Sequence, residues 1–435
     1  MVLIHRVVDH RSWNRRAVWT AGCVVAFGWA AAFPLVSTLE THRVWGTCAA
    51  AGYLLAAVVM LGPGRERTRA VAVCAALAGA VAVPLAYLLV NGAAQSEVAV
   101  IERAGRLLTQ HATPYLEHPG SVEQVTPYLP GMALLGLPRA VLGADHPVVR
   151  VLGDARLWCA AVLFGCLWAG RRALAPGRGG APANGARRAY FTALGALTAS
   201  PVVALPLVVS GVDLPLTGLL CLSLALAARG RPVAGGLALA GACALKWTAW
   251  PAVPVVMALL VHRTGPRAAV RSALVALAGT AAALLPGLLF SPRPMAEQVL
   301  AFPTGRGEFP TPAGSPMPGR LLADLGPAGW YAAVGLLLAG GLAVAVSLVL
   351  RPPRELVGAA DRLALGLSLA FLLAPAGRFG YLALPVILVV WSRLVRRDTA
   401  DPGRRRSRVA AGAAPVRGAA PPALPSRPVP AGGPR

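Results

Sequence analysis

Lys246 and Glu97 stand out against an apolar background. The stretch "GACALKWTAWP", residues 241–251, holds Lys246, the only lysine of the chain, whereas every other strong base is an arginine. An ammonium near a bilayer midplane costs about 2.5–3.5 kcal/mol on insertion scales, so such a lysine reads as functional by default. It can donate charge-assisted hydrogen bonds to an anion, above all a phosphate. The plainer alternative is a lysine that snorkels from a short helix to the membrane surface. Glu97 lies in "AAQSEVAVIERAGRLLTQHATPYLEHP", just beyond an apolar run. At a water–lipid boundary a carboxylate can take a proton from a hydroxyl as general base. Its alternative is structural, with Ser96 as N-cap and Glu97 as a first-turn residue favoured by the helix dipole. Glu102 and Arg106, four apart, read as a surface pair on one helix face.

Further polar residues punctuate the apolar chain. Asp213 in "SGVDLPLTGLL" precedes Leu-Pro, a helix-start pattern. Arg306, Glu308 and Arg320 lie in the Pro/Gly-rich "FPTGRGEFPTPAGSPMPGRLL", and Arg378 lies in "APAGRFGYLALP". "VTPYLPGMALLGLPR" sets Tyr128, Arg139 and three prolines in an apolar segment. Proline at membrane depth is tolerated where the backbone is buried in protein or lines a cavity. No DxD-like or His/carboxylate cluster argues for tight metal binding, so no tightly bound cofactor is expected, and a need for a divalent ion stays open. The seven cysteines sit in apolar runs without CxxC spacing and read as small buried hydrophobes.

The elements that must position these residues are membrane helices. Apolar residues make up 56% of the 435, charged residues only 13%, and the mean hydropathy is +0.62, a balance that fits a polytopic membrane protein rather than a soluble domain. Many runs approach the ~20 residues a helix needs to cross a bilayer, and the short alternating segments of a barrel are missing. The runs predict an all-α bundle of about ten to thirteen spans. A net charge of +24 raises the question of nucleic acid. The arginines, however, cluster in short loops and the tail, as the positive-inside rule expects, with no aromatic interleaving, so no nucleic-acid partner is expected.

Placing the N-terminus inside puts "GPGRERTR", "RGRP", "HRTGPR", "RPPRE" and the tail on the cytoplasmic side. The division is then a cytoplasmic flank over 1–17, a transmembrane domain over 18–396 and a disordered basic tail over 397–435. Two large outer loops span 91–127 and 291–328. Within the first, "EVAVIERAGRLLTQH" is periodic as an amphipathic helix suited to lie on the outer surface. Residues 128–143 are apolar enough to insert, yet one more crossing would invert every later loop, which favours a re-entrant or interfacial segment.

The order of "RLLTQHATPYL", "YLPGMALLGLPR", "SGVDLPLTGLLCLSLALA", "ALKWTAWP", "FPTGRGEFPTPAGSPMPGRLL" and "LLAPAGRFGYLALP" resembles the glycosyltransferase family 87 group of actinobacterial membrane proteins over residues 85–395. The resemblance implies a GT-C fold and a plasma-membrane hexosyltransferase, mannosyltransferase-like, that uses a polyprenyl-phosphate sugar at the outer face. Its partners would be the lipid bilayer, the lipid-linked donor and a lipid or glycan acceptor. Glu97 would be the catalytic base, in a place where aspartate is more usual, and Ala112 stands where glycine is expected. Lys246, Arg378 and Arg306 would bind the donor phosphate. Tyr115, Tyr128, Asp213, Trp247, Trp250 and Tyr381 would line the substrate cavity.

This chemistry is sufficient for the reaction. A lipid-phosphate sugar already carries a leaving group, so one base and a set of cations replace the carboxylate pair of a glycosidase. The competing class is a multi-pass transporter or flippase. Internal repeats are the usual transporter hallmark, and the halves of this chain show no similarity to one another.

Overall fold

The computed structural model describes residues 2–62, 66–175 and 184–399; the expected basic tail from 400 onward lies outside them. The described chain is helical, its only β feature an isolated bridge between Gly314 and Gly377. The protein is an all-α polytopic membrane protein. Among the described residues, eight helices are long and apolar enough to cross a membrane, among them Glu40–Leu61, Ala155–Leu174, Pro266–Phe290, Pro327–Leu350 and Leu356–Leu373.

A ninth crossing arises if Arg187–Thr198 and Pro201–Val209 count as one span bent by 67°. The bend has a local cause. Pro201 has no N–H to continue the ladder, and the freed carbonyls find other donors. Ser200 Oγ donates to Leu197 O at 2.6 Å and Tyr53 Oη to Ala199 O at 2.5 Å.

The expectation of ten to thirteen spans counted shorter helices as crossings. Leu214–Ala228, Pro232–Leu245 and Ala252–Thr264 have 15, 14 and 13 residues. At 1.5 Å per residue they rise only about 20–22 Å, against the ~30 Å hydrocarbon core. The neighbouring helices Pro266–Phe290 and Pro327–Leu350, with 25 and 24 residues, rise about 36 Å. Leu214–Ala228 is buried along almost its whole length. Surrounded by protein, a central helix need not match the bilayer.

These helices share their ends. Leu174, Arg229, Arg263, Glu355 and Arg396 line one small cavity of about 240 Å³ where the arginine-bearing connections meet. There Arg263 donates to Ala228 O at 2.7 and 3.0 Å, capping a helix C-terminus, and Arg171 pairs with Asp398 at 2.9 Å. The other ends of the same helices surround a much larger cavity of about 890 Å³. Each short helix has one end at the arginine side, so at these lengths its other end stops short of those of its long neighbours. The floor of the large cavity is therefore sunk into the bundle.

The amphipathic loop segment forms the helix Ser96–His111. Its apolar face meets protein: Val98, Val100, Ile101, Ala104 and Gly105 are buried against the 3-10 turn Pro130–Gly136. Gly105 and Gly136 meet backbone to backbone, with no room for a Cβ on either. The segment 128–143 is not among the helices long enough to cross a membrane. It forms that 3-10 turn and the helix Leu137–Leu142, and Leu129 N donates to Leu245 O at 3.1 Å.

The expected surface pair of Glu102 with Arg106 is corrected by the structure. Glu102 pairs instead with Arg139 at 2.9 Å and accepts from Ala155 N at 3.1 Å. Its helix face is turned toward the segment that follows rather than toward water, so a distant arginine reaches it. The described cysteines are free thiols, but only Cys159, Cys166, Cys221 and Cys243 are buried. Cys23 and Cys48 are half-buried and Cys74 is exposed on an outward helix face, which corrects the reading of all seven as core residues.

Candidate active site

The large cavity collects side chains from six separated stretches. Lining residues include Glu97 on the loop helix, Tyr128, the turn 246–251, Arg306, and the pair Arg378 and Tyr381. Glu97 sits in the first turn of its helix, and the others lie at or beside interruptions of helix.

Lys246 follows the helix Pro232–Leu245 in an extended conformation (φ −157°, ψ 136°), which stops the helix. A 3-10 turn, Trp247–Ala249, comes next, and Trp250 Nε1 donates back to Cys243 O at 3.2 Å. Lys246 Nζ lies 2.8 Å from Asp213 Oδ1, 4.4 Å from the Tyr381 ring centroid and 5.7 Å from that of Tyr128. Its side chain is only 11% exposed, so it does not snorkel to the surface. Burial opposes the charge, but the Asp213 carboxylate outweighs it and holds the Lys246 pKa above the ordinary lysine value. Cation–π contact with the two rings adds to this.

Asp213 occupies the N-cap position that its sequence pattern suggested, before the helix Leu214–Ala228, but its side chain makes no cap hydrogen bond. The carboxylate is turned to Lys246 instead. Asp213 is not among the cavity-lining residues. It stands behind the lysine, which corrects its expected place on the wall.

Glu97 sits in the first turn of its helix, while the N-cap position is Gln95 and not Ser96. Gln95 N donates to Val209 O at 3.0 Å, and its side chain meets His42, so the helix start is anchored at two points. Glu97 Oε1 forms an ion pair with Arg378 Nη1. Its second oxygen, Oε2, is buried without a hydrogen-bond partner. A buried carboxylate oxygen left open in this way invites a donor.

Arg378 precedes the 3-10 turn Phe379–Leu382 and is held from the second large loop. Gly377 N donates to Ala313 O at 2.9 Å, Ser315 N to Gly377 O at 3.0 Å, and Phe379 N to Ser315 Oγ at 3.2 Å. That loop also brings Arg306, whose guanidinium lies 5.5 Å from the Trp330 ring centroid. Trp247 and Trp250 lie on the cavity wall with Tyr128 and Tyr381.

Tyr115 does not line this cavity, contrary to expectation. It is 3% exposed in a small cluster with Leu129, Met295 and Val299, and its hydroxyl donates to Tyr128 O at 2.9 Å. Tyr115 thus braces the backbone of a wall residue. Sequence reasoning missed Gln298, which takes Thr126 N at 2.8 Å and donates to Leu116 O at 2.7 Å, tying the two large loops together. Nothing in its local sequence signals this. Trp330 and Glu123 also line the cavity and were overlooked. Ala112 is the one non-glycine residue with positive φ (57°) among the described residues, which explains why glycine is favoured at this helix end.

Among the described residues, no group of three His, Cys, Asp or Glu side chains is arranged to hold a metal ion. The arrangement brings one carboxylate, with one oxygen buried and unpartnered, to the same aromatic-walled cavity as a set of cations. The fold and cavity define a multi-pass membrane protein with one large charged and aromatic cavity. The sequence model of glycosyltransferase family 87 matches residues 126–375, more than half of the chain, and the protein belongs to that family. Tyr128, Asp213, Lys246, Trp247, Trp250 and Arg306 fall inside the matched stretch; Glu97, Tyr115, Arg378 and Tyr381 flank it. No curated protein and no solved structure matches the chain.

Proposed function

We propose that this membrane glycosyltransferase moves a hexose, with mannose the first candidate, from a polyprenyl-phosphate sugar to a lipid or glycan acceptor. The reaction takes place at the outer face of the plasma membrane, with both termini in the cytoplasm. The observation that carries this reading is the convergence of Glu97, Lys246, Arg306 and Arg378 on one cavity. Glu97 accepts the proton of the acceptor hydroxyl. The cations stabilise the negative charge that develops on the departing phosphate. The aromatic wall suits stacking against a sugar ring and packing of isoprene. Support for the outer face comes from the arginine-bearing connections, which meet at the end opposite the cavity.

Lipid and glycan profiling of a deletion strain tests the function. Loss of one mannosylated lipid or glycan, restored by wild type and not by Glu97→Gln, is the expected result. An unchanged profile would remove the reading. For orientation, reporter tags near residues 115 and 310 are expected to report the outside and a C-terminal tag the cytoplasm.

A further inference from the structure

We infer that Arg378 exchanges partners during the reaction, releasing Glu97 when the donor phosphate arrives. The inference rests on the proposed use of a lipid-phosphate sugar. It starts from a conflict: a carboxylate bound to a guanidinium is a poor base, and a guanidinium bound to a carboxylate is a poor phosphate site. In the structure the proposed base and one proposed phosphate ligand neutralise each other.

Three observations make the pair exchangeable. Glu97 and Arg378 both line the cavity, with side chains 15% and 28% exposed, so an incoming anion can reach the guanidinium. Arg378 leads out of a short loop held by main-chain bonds at Gly377 and Phe379, which leaves the side chain free to swing while its backbone stays fixed. Glu97 binds Arg378 through Oε1 alone, and Oε2 has no partner. The Lys246 pair differs in placement, because Lys246 lines the cavity while its partner Asp213 does not.

The sequence of events follows from charge. A lipid-phosphate sugar enters and its phosphate takes the Arg378 guanidinium from Glu97. The carboxylate, now unpaired in an apolar wall, becomes more basic. The acceptor hydroxyl proton passes to Glu97, and the acceptor oxygen bonds to the anomeric carbon. The bond from that carbon to the phosphate oxygen breaks, and its electron pair leaves with the polyprenyl phosphate. The leaving phosphate gains one negative charge opposite Arg378. When Glu97 loses its proton to water it recaptures Arg378 and helps to expel the product. Donor binding thus arms the base, which disfavours proton transfer in a cavity that holds acceptor alone.

The test uses the full-length purified protein and farnesyl phosphate as probe, with dissociation constants from titration calorimetry. Glu97→Gln is expected to bind the probe about three- to tenfold more tightly than wild type, because the competing carboxylate is gone. Glu97→Ala serves as a second variant should Gln perturb folding. In an Arg378→Gln background the Glu97→Gln gain is expected to vanish. Wild type that binds the probe, with Glu97 variants no tighter, would overturn the exchange and leave the transferase reading intact. Wild type that binds neither farnesyl phosphate nor a prenyl-phosphate sugar would overturn both.

Discussion

Two ion pairs at the cavity look alike in composition and differ in placement. In Lys246–Asp213 the carboxylate stands behind the wall, and two tyrosine rings cover the ammonium. In Glu97–Arg378 both partners face the cavity, and one carboxylate oxygen is unmatched. The first pair fixes the turn 246–251 against the start of the helix Leu214–Ala228. The second joins the helix Ser96–His111 to the stretch before Phe379 at the cavity wall, and by the proposal above it is opened by an anion. In the proposed reaction the first pair belongs to the scaffold and presents a cation, and the second belongs to the chemistry.

The sharpest way to break this contrast is to remove charge from each pair in turn. Glu97→Gln is expected to cut sugar transfer by about 10²–10⁴-fold, with little change in melting temperature, in a purified assay with a lipid-linked sugar. A variant with wild-type turnover would move the base elsewhere. Asp213→Asn should do the reverse, since it leaves a buried ammonium unpaired. A loss of about 3–5 kcal/mol is expected, with Lys246→Met in the same chain restoring most of it. Denaturant or thermal unfolding in detergent measures both. If the double variant is restored in stability and still impaired in turnover, the lysine has a role beyond holding Asp213.

A third pair sharpens the boundary of the site. Glu102 accepts from both Arg139 and Ala155 N, so it fastens the loop helix to two later segments. Glu102→Gln is expected to cost about 1–3 kcal/mol of stability, while the dissociation constant for a prenyl phosphate stays unchanged. The smallest effect concerns Ala112. Its left-handed backbone suits glycine, so Ala112→Gly should stabilise the protein by about 1 kcal/mol and leave turnover as it is. A lower melting temperature would show that this helix end is set by something other than local conformation.

What the sequence determined by itself is the local and one-dimensional part. Apolar runs specify membrane helices because no backbone polar group tolerates hydrocarbon unpaired. Prolines at 201, 232, 266 and 327 mark helix starts, where a missing N–H costs nothing. The one lysine announced itself by its cost, and Glu97 by its place beyond a span. The tertiary structure decided the partners of the site residues. Lys246 and Asp213 are 33 residues apart, Glu102 and Arg139 are 37 apart, and Glu97 meets an arginine from the far end of the chain. A charge can be satisfied by any opposite charge that packing brings near, and a helix pattern carries no record of which one arrives. The same holds for Tyr115, which looked like a wall residue and became a brace, because only the assembled loops decide on which side of the wall a ring is buried.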